Sequence, residues 1–427
     1  MTLNRKIPPD IYSVDHVEYH KPRHIKLNGG VDLFVVNGGD QEVVKLDFAF
    51  KAGSWYSKSK LESLMASAMI QEGTSKFKAT NIANTFDFYG TQFSSQSHYD
   101  YNYISLLSLK KHLPHLLPLI YEIISDSVFP ENEFEIIRQK RKQRAIIDAE
   151  KVSVICQRTF LRTLFSKEHP YAPVSSPDSY DFVTLDGAKT HFRKYYASNR
   201  MTIIASGHVD QGVEMLITDN FGGSWGTPVD DSSEKVPGNE AHAKETIFID
   251  KQGANQNAVA IGKHFPTQKH PDFPGIKLLC TILGGYFGSR LMSNLREAKG
   301  LTYSINASPI SFVHNGIFLV SAEVKTEKTD EAVKEIYREM ERLCEELITG
   351  KELEPVQNYM LGRILEEFDG PFAKAQNFAA LHELDMDYEY FERLIETIKT
   401  ATPDDIRELA AKYLTPDTMT CVIAGTR

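Results

Sequence analysis

Apolar Val44, Leu46, Phe48 and Phe50 alternate with Lys45, Asp47, Ala49 and Lys51. Successive side chains of a strand point to opposite faces, so this stretch predicts a strand with one buried face. Residues 302–307 and 316–322 predict a strand pair, parted by a polar turn near His314 and Asn315. Elsewhere the period changes to that of a helix. Val333, Ile336, Met340, Leu343 and Leu347 line one helical face, with Gly350 as the expected stop. Leu113, Leu117, Ile120 and Ile124 do the same earlier in the chain, where Pro118 predicts a late start or a kink. Runs of strands followed by runs of helices indicate an α+β sandwich rather than a doubly wound sheet.

The pattern occurs twice. Residues 184–207 align with residues 402–425 at a shift of 218 positions. Thr184, Asp186, Lys194, Tyr195, Met201, Thr202 and Gly207 meet identical residues at Thr402, Asp404, Lys412, Tyr413, Met419, Thr420 and Gly425. A shift of about half the chain means two copies of one unit, far longer than a solenoid repeat. Each copy predicts a helix capped by an aspartate (Asp186 or Asp404), closing near Tyr195 or Tyr413 and followed by an apolar strand. Residues 222–242 hold Gly222, Gly223, Gly226, Pro228, Pro237 and Gly238 among acidic and serine residues, and read as a flexible tether. The expected organisation is a first repeat at 1–221, a linker at 222–242 and a second repeat at 243–427.

Composition narrows the function. The chain has 427 residues, 41% hydrophobic and 25% charged, which excludes a disordered or disulfide-stapled protein. A net charge of −9 argues against nucleic acid as a main ligand. The one basic run, Arg138, Lys140, Arg141, Lys142 and Arg144, reads as a solvated helix face or a dock for an acidic partner. The four cysteines, Cys156, Cys280, Cys344 and Cys421, form no CxxC pair and suit a reducing compartment. The first residues carry no apolar signal-peptide core, and no apolar run approaches the roughly 20 residues of a membrane-spanning helix. A cytoplasmic protein with no membrane partner is expected.

Several short patterns carry less than they suggest. Gly222-Gly223-Ser224-Trp225-Gly226 matches GxSxG, but a nucleophile elbow needs a strand before its serine, and here a helix precedes it. His16, His20 and His24 are interrupted by Pro22, and His112 and His115 flank Pro114; neither set offers a convincing third ligand. Residues 284–288, Gly-Gly-Tyr-Phe-Gly, lack the strand and helix of a phosphate loop and suit packed helix ends or a loop at a cavity mouth.

Residues 289–304 carry most weight: Leu291 and Leu295 mark a buried helical seam, Gly300 ends it, and Tyr303 opens a strand. Arg296 sits in the last helical turn, where it also complements the helix dipole. A guanidinium and a phenol projecting at one helix–strand corner could together hold a peptide carbonyl or a developing oxyanion.

This segment, with the duplication and the central linker, resembles the pitrilysin and mitochondrial-processing-peptidase family of inverzincins over nearly the whole chain. The resemblance implies two homologous α/β sandwich domains, each a mixed sheet packed with helices, forming a half-clam. It also implies that Arg296 and Tyr303 bind substrate and steady the transition state. The family's zinc motif is HxxEH, shortly before a Gly-Thr pair. Before Gly73-Thr74 this chain has Leu64 and Ala68 at the histidine positions and Ser67 at the glutamate, while the distal ligand falls around Arg144. Leucine, alanine and arginine offer zinc no lone pair, so no metal is expected in this chain. The family strand that pairs with substrate corresponds to Phe93, Ser94, Ser95 and Gln96. Zinc motif lost and arginine–tyrosine pair kept, the chain is similar to the non-catalytic subunit of a heterodimeric zinc peptidase. The expected partner is an HxxEH-bearing subunit that supplies the zinc, and the expected substrate an unfolded peptide. The alternatives are an inert scaffold or a peptide-binding homodimer.

Overall fold

The computed structural model describes residues 19, 21–174, 176–227 and 245–427. His16, His20 and positions 228–242 of the linker lie outside these.

The first half contains β1 (Arg23–Lys26), β2 (Asp32–Asn37), β3 (Val43–Phe50), β4 (Gln92–Ser97), β5 (Asn102–Leu109) and β6 (Met201–Gly207), in the sheet order β1-β2-β6-β3-β5-β4. The second contains β7 (Thr246–Asp250), β8 (Gln256–Phe265), β9 (Thr302–Ser311), β10 (Gly316–Lys325) and β11 (Thr420–Gly425), ordered β7-β11-β8-β10-β9. The duplication is plain in the pairing. β6 runs parallel to β2 and antiparallel to β3, and β11 runs parallel to β7 and antiparallel to β8. Among the described residues, β4 ends one sheet and β9 the other, each with one edge unpaired.

The first half's helices are α1 (Lys60–Met69), α2 (Ala79–Phe88), α3 (Leu113–Ser125), α4 (Glu131–Asp148), α5 (Val152–Leu164), α6 (Leu185–Tyr195) and α7 (Gln211–Phe221). The second adds α8 (Phe273–Cys280), α9 (Thr329–Glu345), α10 (Gly350–Glu367), α11 (Gly370–Glu383), α12 (Glu389–Thr400) and α13 (Pro403–Tyr413). Apart from α5 and α11, each set packs on one face of its own sheet around its own apolar core.

The other face is covered by exchange. α5 of the first half lies on the second sheet, where Cys156, Phe160 and Leu164 pack on Ala258, Ala260, Leu319, Val422 and Ala424. Gly262 permits this approach, since a Cβ there would stand 2.9 Å from the Phe160 ring and 1.8 Å from a carbonyl oxygen. In return Ala375 and Phe378 of α11 pack on Phe34, Val36 and Ile204 of the first sheet.

Four local expectations change. The caps of α6 and α13 are Thr184 and Thr402, whose hydroxyls accept from Gly187 N–H and Asp405 N–H; Asp186 and Asp404 sit inside the first turn and favour the helix dipole from there. Gly350 does not stop a helix: α9 ends at Glu345, and Gly350 opens α10 after Thr349. α3 begins at Leu113 and runs through Pro118, which removes only the hydrogen bond to the Pro114 carbonyl, while buried Leu117, Ile120 and Ile124 hold the helix down. In the described part of the linker, Trp225 is packed rather than free: its indole N–H donates to the Tyr196 carbonyl at 3.0 Å and its ring meets Tyr121 edge-on.

A second contact joins the halves. Asp100, in the turn between β4 and β5, accepts from the Tyr171 hydroxyl at 2.7 Å and from the Val313 N–H at 3.4 Å. Burial pushes the Asp100 carboxyl up to about 6. Burial, and then the Asp100 charge, push Glu383 of α11 up to about 8. Raised carboxyl pKa values mean that the folded state holds protons the unfolded chain releases, so this stability is fully present below the ordinary carboxylate range and is lost as pH rises from there to about 6 for Asp100 and about 8 for Glu383. The melting temperature is expected to fall across that window, as stability drops by at most about 1.4 kcal/mol per pH unit for each proton. Calorimetry of Glu383→Gln should show a flatter decline; a curve parallel to the parent's would remove Glu383 from the account.

Candidate functional site

The corner that carries Arg296 is built from unusual backbone. Met292–Ala298 forms a π-helical turn, in which the Lys299 N–H reaches the Asn294 carbonyl at 3.1 Å. Such wide turns are rare and concentrate at functional sites. Gly300 follows in the left-handed region at φ +59°, where a side chain would be strained. Leu295 and Leu301 are buried on either side of this turn. From behind, Asn294 donates to Glu335 at 2.9 Å and Glu339 at 2.7 Å, Lys299 pairs with Glu335, and Arg290 grips Glu352 at 2.6 and 3.1 Å. The Lys299 contact holds the Glu335 carboxyl below its usual range.

Arg296 itself lies between two rings. Its guanidinium carbon is 4.9 Å from the centre of Phe287 and 5.0 Å from that of Tyr303. Among the described residues no carboxylate pairs with it. Tyr303 is 80% exposed and Phe287 60%, so the sandwich stands open to solvent. Stacking fixes the plane of the guanidinium while leaving its N–H donors for another acceptor. Tyr303 also lines a cavity of about 710 Å³ between α5 and strands β8 to β10, with Gln157, Gln256, Ser321 and Glu323 on its wall.

The positions matching the zinc motif lie elsewhere, on α1. Leu64 packs against the first core, and Ala68 offers only a methyl group. The buried Ser67 hydroxyl meets that of Ser95 on β4 at 2.7 Å. One turn earlier, Ser63 meets Ser97 at 2.9 Å and exchanges hydrogen bonds with Asn102, which also donates to the Tyr196 hydroxyl at 2.9 Å. Arg144 is exposed on α4 and pairs with Asp148 at 3.1 Å. A hydroxyl already committed to another hydroxyl, two aliphatic groups and a cation do not fit zinc. Among the described residues, no three histidine, cysteine, aspartate or glutamate side chains converge on a point that could hold a metal ion.

In place of metal ligands, the serines stitch α1 to the free-edge strand. Phe93, Ser95 and Ser97 face the helices, with Phe93 stacked on Phe86 at 4.8 Å. Gln92, Ser94 and Gln96 face outward. The strand is held flat from behind, with its outer backbone unpaired in the sheet.

Other candidates dissolve into structure. His112 and His115 pack on Tyr89, and His24 pairs with Asp32. Within the basic run, Arg138 pairs with Glu135, Lys142 with Asp181 and Asp178, and Arg144 with Asp148, so most of its charge is met by its own acids. Ser224 follows α7 rather than a strand. Phe287, Glu335 and Glu339 went unnoticed in the sequence. The two glutamates flank Ile336 and Met340 on the buried face of α9, the one signal that could have marked them.

Comparison with known proteins agrees with this arrangement. Residues 183–360 match the family described as peptidase M16 inactive domain, and residues 36–178 match insulinase (peptidase family M16). An uncharacterized zinc protease, YmxG of Bacillus subtilis, is 21% identical over 82% of this chain and 84% of its own. A non-peptidase homolog, YmxG of Helicobacter pylori, is 23% identical over 74% of each. The crystal structure of a peptidase M16 inactive domain from Pseudomonas fluorescens superposes with a TM-score of 0.85 at 21% identity, covering 95% of this chain and 98% of that one.

Proposed function

The chain belongs to peptidase family M16, and on that premise we propose that it is a member without a metal site of its own, the zinc-less subunit of a two-chain peptidase. It closes over a relative that carries HxxEH and presents Arg296 and Tyr303 to the peptide held there. The observation that carries this reading is the Phe287–Arg296–Tyr303 sandwich, kept open to solvent in a chain whose metal positions hold Leu64, Ser67 and Ala68.

The partner supplies the metal-activated water. This chain's residues bind and orient: the guanidinium and the phenol donate hydrogen bonds to the peptide carbonyl oxygen, most strongly as it gains negative charge. The free edge of β4 adds an extended substrate as a further strand through backbone hydrogen bonds. An unfolded peptide is the substrate that both features suit, because a folded chain has no free strand to offer.

The test is coexpression with an HxxEH-bearing relative, followed by size, metal content and hydrolysis of an unstructured peptide. A 1:1 complex that cleaves, from two chains inactive apart, is expected. A self-dimer that binds peptide without cutting it, or a complex that is inert, would sink the proposal. In the active complex, Phe287→Ala should lower kcat/KM by roughly 3–30-fold, the equivalent of about 0.5–2 kcal/mol of stacking. The loss should fall on kcat more than on KM.

A further inference from the structure

A second cavity, of about 430 Å³, opens between α8, the outer part of β9 and helices α10 to α12. It shares no lining residue with the one beside Tyr303. Its wall carries one cation, Lys277, and one carboxylate, Glu367. Neutral polar groups complete it: Gln268, Asn306, Ser308 and the hydroxyl-bearing Tyr390.

Lys277 is the anomaly. It projects from α8, whose other side chains are core, and burial holds its amine below the usual lysine range. Nearby Glu367 offsets this in part, and Arg363 adds to it. Among the described residues, the Lys277 ammonium makes no hydrogen bond and no ion pair. The side chain is half-buried and lines the cavity, where its three donors have no protein acceptor and a ligand from outside can supply one.

We propose that this cavity binds a carboxylate, with Lys277 as its ion-pair partner and the surrounding amide and hydroxyl groups as secondary donors. A single cation with Glu367 close by favours a monoanion, because the second negative charge of a phosphate would meet the Glu367 repulsion with no further cation on the wall to offset it. The volume lies at the small end of ligand pockets. It admits either a short free acid or the last residues of a peptide, whose C-terminus is the same group. The site is independent of the zinc-less-subunit reading, so each can fail without the other.

Titration calorimetry on the full chain tests it, with acetate, triglycine, triglycine amide and inorganic phosphate as probes. At least one of acetate and triglycine should bind saturably, with the amide and phosphate weaker by about tenfold or more, the difference of a charge-assisted hydrogen bond. Triglycine tighter than acetate assigns the site to a peptide terminus, and the reverse or equality to a small acid. Lys277→Met should weaken the carboxylate by about tenfold or more. No saturable carboxylate binding, phosphate the tightest probe, or unchanged binding in Lys277→Met would each overturn the proposal. Should that variant not fold, carbamylation of the unaltered chain by cyanate, read by peptide mass spectrometry, replaces it. The carboxylate probe should protect Lys277 but not Lys263, and equal labelling with and without probe rejects the site.

Discussion

Arg296→Ala, placed in this chain of the coexpressed pair, is expected to lower kcat/KM by about 10²- to 10³-fold, on the order of 3–4 kcal/mol, the usual loss when one oxyanion donor is removed. The decrease should appear mainly in kcat, since the donor acts most on charge that develops during reaction. Tyr303→Phe keeps the ring that stacks on Arg296 and removes only the hydroxyl. Its expected cost is smaller, about tenfold, close to one hydrogen bond. Tyr303 is exposed and Arg296 is half-buried outside the core, so neither change should alter folding or assembly. The measurement is steady-state hydrolysis at equal complex concentration, beside the metal content of the partner. Unchanged rates in Arg296→Ala, with the complex intact, would leave this chain as a scaffold.

The second large effect concerns stability. Phe160→Ala should cost about 3–5 kcal/mol, because it empties a site that is fully buried between α5 and the second sheet. The ring belongs to one half of the chain and its packing partners to the other. A loss there should therefore lower both halves together, as one shift of a single denaturation profile followed by circular dichroism and tryptophan fluorescence. Two separated transitions in the parent protein would contradict the coupling.

Much of this was legible beforehand, for identifiable reasons. The alternation at Val44 to Phe50 gave β3, because one buried face leaves a period of two. The duplicated segments gave α6 with β6 and α13 with β11, because two copies check each other. Helix caps were read two residues late, since Thr184 and Asp186 are both good caps and only the hydrogen bond to Gly187 decides between them. Arg296 and Tyr303 were visible as residue types at one corner, whereas Phe287 was not. Its ring reaches Arg296 only through a turn of backbone that no periodicity reports. The serine ladder was equally hidden: Ser63 and Ser67 look like filler in an apolar helix until β4 lies against them. The exchange of α5 and α11 between sheets left no mark at all, because an apolar helix face does not say which sheet it covers.

That exchange bears on how the protein is made. When a ribosome has finished β6, the first sheet already exists, but Ala375 and Phe378, which close its back, are still more than 160 codons away. Phe34, Val36 and Ile204 must wait uncovered through the synthesis of most of the second half. The nascent chain therefore spends a long interval with a sticky surface, exposed to aggregation until α11 emerges.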